Sequence, residues 1–235
     1  MRKMRPMEYA LVALSAVIAV ACLSLCAWQL RRLAERRALN ATVVARLEEA
    51  PVAVDQLPRD SASQHYRRAR LTGVYDYAHQ IVLTNRSREG SPGINLVTPV
   101  RVAGNDTAVL VNRGWIYAAD ATNADVTPWG EGDSVDAVGY VTPLATHGTG
   151  IAQSPHNPAA YRWLDTAVAR RAFPYPVRPF LVVLQGDVKV RNGGILPRVA
   201  APPLDEGPHM SYAIQWFAFA TIAVVGAIFF VRRGS

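Results

Sequence analysis

Cysteine is almost absent from this chain: of 235 residues only Cys22 and Cys26 carry a thiol. Everything beyond residue 26 therefore gains nothing from disulfides, and its redox compartment cannot be read from cross-links. The two thiols stand one helical turn apart, a spacing at which an intrahelical disulfide is geometrically awkward. Such a pair can hold a soft metal such as Cu(I), but the expectation is two small apolar residues packing against lipid or another helix. Charge is the next thing missing. Residues 9–27 and 212–231 contain no Asp, Glu, Lys or Arg. About 20 apolar residues at 1.5 Å each cross a bilayer core of roughly 30 Å, so each run reads as a transmembrane helix. Ala19-Val20-Ala21 resembles a signal-peptide cleavage site, yet the apolar run continues through Leu23, Leu25, Ala27 and Leu30, which favours an uncleaved span.

Catalytic and nucleic-acid signatures are absent too. There is no Gly-x-Ser-x-Gly elbow, no phosphate-binding glycine loop and no Cys-x-x-Cys-His haem attachment site. His65, His79, His147 and His156 lack metal-ligand spacing and read as solvated loop or strand residues. A net charge of +7 invites a nucleic-acid reading, but the basic residues gather at the ends of the apolar runs and no binding motif accompanies them. The region from about residue 66 to 196 is expected to bind and position rather than catalyse, so the chain is not read as an enzyme.

What is present is an order. Arg2, Lys3 and Arg5 flank one end of the first span, and Arg232 with Arg233 flank the matching end of the second. The positive-inside rule then puts both termini in the cytoplasm and the intervening domain outside. Expected segments are a cytoplasmic terminus over 1–8, spans over 9–30 and 209–231, an extracytoplasmic domain over 31–208 and a second cytoplasmic terminus over 232–235. Arg31, Arg32, Arg36 and Arg37 follow the first span on the disfavoured side, offset in sequence by Glu35; they suit lipid phosphates or the carboxylates of a ligand or partner. The first helix runs on past the membrane, with no breaker before Pro51. Strands are expected over 70–75, 79–84, 95–102, 107–117, 134–142 and 180–185, with loops over 87–93, 122–133 and 143–158 and a short helix over 165–171. The fold class is a membrane protein in which two transmembrane helices flank a mainly antiparallel β (α+β) extracytoplasmic domain, a sheet or partial barrel.

Polar residues cluster where the two spans meet one membrane face. His209, Tyr212, Gln215 and Trp216 fall at i, i+3, i+6 and i+7, close to one helical face. The first span leaves the membrane through Trp28-Gln29-Leu30-Arg31-Arg32. An interfacial belt accounts for Tyr212 and Trp216, less well for Gln215, and leaves His209 unexplained. Asn112-Arg113-Gly114-Trp115 ends a strand; an Arg beside a Trp reads first as a packed corner with an ion pair.

These pieces together resemble the Surfeit locus protein 1 family of assembly factors for haem–copper cytochrome c oxidase. The matching residues are Trp28-Gln29-x-x-Arg32, Tyr66-Arg67-Arg68, Leu71-Thr72-Gly73-x-Tyr75, Asn112-Arg113-Gly114-Trp115 and Pro208-His209-x-x-Tyr212-Ala213-x-Gln215-Trp216-Phe217, in the family's order. Where the family often has an aromatic residue soon after the first-span arginine, this chain has Ala34 and Glu35. The resemblance implies a multi-pass protein of the cell (inner) membrane that takes part in oxidase biogenesis and handles haem a on its way to the catalytic subunit. Other assembly factors and lipids would be further partners. On that footing His209 is the candidate axial ligand of haem iron. Arg32, helped by Arg31 or Arg36, would hold propionates, and Trp28, Gln29, Tyr212, Gln215 and Trp216 would complete the site, the two glutamines as hydrogen-bond donors. The first turn of a helix is an unfavourable place for a cation, which suits a neutral imidazole. A scaffold that stabilises an oxidase subunit without touching haem, its His209 and Gln215 bonding between helices, stands as the alternative.

Overall fold

The computed structural model describes residues 5–58, 60–144 and 152–233. His147 and part of the loop expected over 143–158 lie outside them. In chain order the elements are α1 (Pro6–Glu48), β1 (Val52–Ala53), α2 (Ser61–Gln64), β2 (Arg68–Tyr75), β3 (Ile81–Arg88), β4 (Ser91–Arg101), β5 (Ala108–Tyr117), β6 (Ser134–Pro143), β7 (Ala160–Tyr161), α3 (Thr166–Ala172), β8 (Val177–Leu184) and α4 (His209–Arg233). They form two compact units, one of Met1–Val44 with Pro202–Ser235 and one of Ala45–Ala201.

In the helical unit, α1 opens at Pro6 and runs 43 residues, about 65 Å, because neither glycine nor proline interrupts it before Pro51. That is twice a bilayer core, so the helix continues past the membrane as the sequence indicates. Before α4 the chain turns at Gly207, whose φ of +71° is available to glycine at little steric strain, and Pro208 leads into the first turn, its carbonyl accepting from Tyr212 N–H. Both helices are long and apolar enough to cross a bilayer. Their large apolar side chains face outward, Val17 and Ile222 being 65% and 66% exposed, the arrangement of a membrane protein whose outer surface meets lipid. The buried positions of α1 are Ala19, Cys22, Gln29, Leu33 and Val43; those of α4 are Ala213 and Ala220. Small side chains three positions apart (Ala19, Cys22) and seven apart (Ala213, Ala220) let two helix backbones approach.

The β unit is an eight-stranded, mainly antiparallel sheet in the order β1-β2-β6-β8-β5-β4-β3-β7. It curls on itself through a short pairing of β2 with β4 (Val74 with Arg101, Tyr75 with Val100), which makes β2, β6, β8, β5 and β4 a barrel. Leu71, Val100, Val111, Val141, Val182 and Leu184 fill the interior, each wholly buried. The outer face of β5 and its neighbours is covered by α3, whose Val168 and Ala169 pack with Leu110 and Leu181. Asp165 caps α3 by accepting from Val168 N–H at 2.7 Å. One expected loop is not a loop. The stretch 87–93 is a hairpin whose turn is Glu89-Gly90, with φ of +51° and +81°; consecutive positive φ values match the strands' twist, so two residues suffice. The outer strand pairs β1 and β7, two residues each, carried no sequence signal.

Candidate functional site

The helical unit joins its two helices through one buried polar contact. His209 Nδ1 lies 2.8 Å from Gln29 Oε1, across 180 residues of sequence. Gln29 is 8% exposed and sits on the buried stripe of α1, between Cys22 and Leu33. The sequence reading made Gln29 a donor; an amide oxygen accepts, so here the imidazole donates. His209 is half-buried, and its Nε2 has no hydrogen-bond partner among the described residues.

Beside His209 opens a cleft of about 360 Å³ lined by Arg32, Glu35, Arg36, Leu39, Glu206, Gly207 and His209. The arginines that looked misplaced have local answers. Arg37 grips Glu206 with two parallel bonds, Nε at 2.8 Å and Nη2 at 2.9 Å, and these bonds hold the Glu206 carboxyl below its ordinary range. Arg36 Nε donates to the Asp205 carbonyl at 3.0 Å, and Arg32 pairs with Glu35 at 2.7 Å. The Glu206 carboxylate and the Asp205 carbonyl thus join Glu35 in answering the cluster, a contribution hidden by more than 160 residues of separation. The Arg32–Glu35 pair is solvent-exposed (54% and 62%) and weak, so Arg32 is free to exchange it for another anion. Arg31 has no side-chain partner among the described residues.

Of the other expected site residues, Trp216 is half-buried and shares the turn spacing of Ala213 and Ala220. Trp28 (47%), Tyr212 (44%) and Gln215 are exposed, rotated off the buried stripe. His209, Gln29, Arg32 and Arg36 are brought together; among the described residues Gln215 makes no hydrogen bond with His209. Cys22 is buried and Cys26 half-buried, both as free thiols. Among the described residues no group of three metal-binding side chains exists.

The β unit holds a charged centre of its own. A bulge in β5, where Leu96 faces Gly114 and Val97 faces Asn112, inserts Arg113 as the extra residue and turns its side chain inward, wholly buried. Arg113 donates to Thr98 Oγ1 (2.9 Å), Gln80 Oε1 (2.5 Å), the Trp129 carbonyl (2.5 Å) and Glu131 Oε1 (3.3 Å). Arg198 reaches the same carboxylate at 2.7 and 3.0 Å. Tyr75 and Tyr77 present ring faces to Arg113, and burial pushes the Tyr75 phenol well up. Each guanidinium nitrogen of Arg113 and Arg198 has a partner, so the cluster is a structural lock. Gly114 beside it (φ +150°) is needed because a Cβ would stand 2.5 Å from the Pro197 carbonyl. The packed-corner reading of Arg113 matches this geometry. Glu131 and Arg198, one in a polar loop and one in a Pro-rich tail, had no sequence signal linking them to it.

A model described as the SURF1 family matches residues 16–221, from the first span through the second. The chain belongs to the SURF1 family. A SURF1-like protein of Monosiga brevicollis is 24% identical over 229 residues, covering 88% of this chain and 82% of that one. A SURF1-like protein of Rickettsia felis is 24% identical over 215 residues, covering 90% and 92%. Surfeit locus protein 1 of Xenopus tropicalis is 24% identical over 218 residues, covering 86% and 69%. The SURF1 match thus takes in both helices and the barrel, and with them Gln29, the Arg113 lock and His209.

Proposed function

We propose that this SURF1-family chain is a non-catalytic assembly factor for haem–copper cytochrome c oxidase, binding haem a at the end of its helix pair and aiding its delivery to the catalytic subunit. The observation that carries the reading is one cleft shared by an imidazole with a free nitrogen and two guanidinium groups, Arg32 and Arg36. Its volume of about 360 Å³ lies in the range of small-ligand pockets, and its donor set fits the group's two kinds of handle. Bound haem supplies an iron that takes an axial nitrogen and propionates that take guanidinium. His209 would hold the iron side, Arg32 and Arg36 the propionate side, and Trp28, Tyr212 and Trp216 would flank the ring. In this reading the chain is multi-pass in the cell's inner membrane, with Arg5, Arg232 and Arg233 toward the cytoplasm and the β unit outside.

A second reading has its own support: the Gln29–His209 contact is itself an interhelical hydrogen bond, which a haem-free scaffold for an oxidase subunit or fellow assembly factor would use. Spectra of protein purified from cells that make haem a separate the two. The haem reading expects a Soret band that His209→Ala shifts or abolishes. It expects Arg32→Ala to keep the ligand and weaken haem roughly tenfold to a hundredfold, from a charge-assisted hydrogen bond worth about 1.5–3 kcal/mol. Wild-type spectra from His209→Ala end the ligand assignment. Absence of haem from every variant, with loss only of oxidase-subunit co-purification, establishes the scaffold.

A further inference from the structure

An imidazole offers an electron pair from only one nitrogen, and which one depends on where its proton rests. At His209 the question is decided by a neighbour. Gln29 Oε1 stands 2.8 Å from Nδ1, and a carbonyl-type oxygen can only accept, so Nδ1 carries the hydrogen and Nε2 the lone pair. The Gln29 amide presents its oxygen, not its nitrogen, to the ring. It is buried on the interhelical stripe, on an unbroken stretch of α1, with Cys22 and Leu33 buried on the same stripe. No other side chain hydrogen-bonds the His209 ring among the described residues. Deprived of that acceptor, Nδ1–H would be a half-buried donor without a protein partner, and nothing would hold the proton there against the Nε2 form.

We infer that Gln29 is a positioning residue: by accepting from Nδ1–H it fixes the tautomer of His209 and keeps Nε2 as an electron-pair donor to a metal-centred ligand in the cleft. The tautomer assignment stands on the hydrogen bond alone; its use in ligand binding rests on the haem reading above. A general feature of metal-bound imidazoles supports the role, since the group bonded to the far nitrogen sets ring orientation and changes affinity by about 10- to 100-fold.

The test uses the full chain in detergent micelles with ¹⁵N-labelled histidine, the His209 signals being assigned by their loss in His209→Ala. Proton–nitrogen correlation spectra read the tautomer directly. Wild type is expected in the Nδ1–H form. Gln29→Leu, which removes the acceptor, is expected to give a mixture; Gln29→Lys, which offers only a donor, the Nε2–H form; and Gln29→Glu, which restores an acceptor, the wild-type form. The signals of the remaining histidines, all in the β unit, report that this unit is folded, and far-ultraviolet circular dichroism reports that the helices are. An Nε2–H ring in wild type, or an Nδ1–H ring that persists in both Leu and Lys variants, overturns the inference. Hemin titrated into the same samples separates this from the haem reading. Weakening of about tenfold or more in Gln29→Leu and loss in Gln29→Lys support the whole chain of reasoning. A wild-type protein with the expected tautomer that takes up no hemin removes the haem reading and leaves the tautomer assignment intact.

Discussion

Buried charge gives the sharpest test of the β unit, because two substitutions at one cluster should differ although the two side chains make equal numbers of hydrogen bonds. Arg113 has no exposure and donates four side-chain hydrogen bonds; Glu131 has a 3% exposed side chain and accepts four, three from the two arginines and one from the Tyr75 hydroxyl. The triad carries one surplus positive charge. Arg113→Met removes that surplus and leaves Glu131 gripped by Arg198 through both oxygens. Gln80 Oε1 keeps the hydroxyl of Thr98 as a donor at 2.9 Å, so the main orphan is the Trp129 carbonyl, worth about 1–3 kcal/mol. Glu131→Gln keeps the shape but leaves two guanidinium groups buried without an anion, and breaking such a set by removing one partner costs about 3–5 kcal/mol. With about 2–4 °C per kcal/mol in a domain of this size, the central costs of about 2 and 4 kcal/mol lower Tm by roughly 4–8 °C for Arg113→Met and 8–16 °C for Glu131→Gln. Thermal unfolding of the full chain in micelles, followed by near-ultraviolet circular dichroism, measures both. An Arg113→Met protein as unstable as Glu131→Gln, or more so, refutes the charge argument.

Three further outcomes follow from the same geometry. Gly114→Ala puts a Cβ 2.5 Å from the Pro197 carbonyl at a φ that suits glycine, so a loss of more than 1 kcal/mol is expected, read by the same melts; an unchanged Tm would show that the 196–198 strap yields freely. Burial, with a smaller contribution from Tyr66, pushes the Tyr140 phenol up to about 12. Its contribution is therefore whole below about pH 10 and fades as pH rises toward 12, a loss of about 1 kcal/mol at pH 11. Tyr140→Phe should flatten this alkaline limb while losing, at neutral pH, the hydrogen bond to the Ala200 carbonyl; an equally steep limb in the variant assigns the loss elsewhere. Alkaline phosphatase joined after Ala201 should be active and joined after Ser235 inactive, and the reverse pattern would place the β unit in the cytoplasm.

The sequence conveyed what depends on local pattern. Uninterrupted apolar runs gave both helices, the absence of a breaker before Pro51 gave α1's extension, and β-branched runs gave the long strands of the barrel. His209 and Arg32 stood out because polar groups at the ends of apolar runs are conspicuous. What stayed hidden depends on distant pairing. Glu206 neutralises Arg37, and Glu131 locks Arg113 to Arg198, through separations that no window along the chain spans. Tyr212 and Gln215 share a helical face with His209 only approximately, and the angle between them decides that one bonds across to α1 while the others face outward. The 87–93 hairpin was misread because its Ser, Pro and Gly content is that of a loop, whereas two positive φ values make it a tight turn.

The Gln29–His209 contact also has a place in time. Gln29 leaves the ribosome 180 residues before His209 does. At roughly 5–20 residues per second that is an interval of about 10–40 s, during which α1 is in the membrane and the barrel is being made. For that whole interval Gln29 faces the seam with no imidazole to meet. A half-made chain, or one truncated anywhere before α4, therefore presents arginines without their nitrogen donor. Only molecules that have made α4 carry both the imidazole and the guanidinium groups of the cleft.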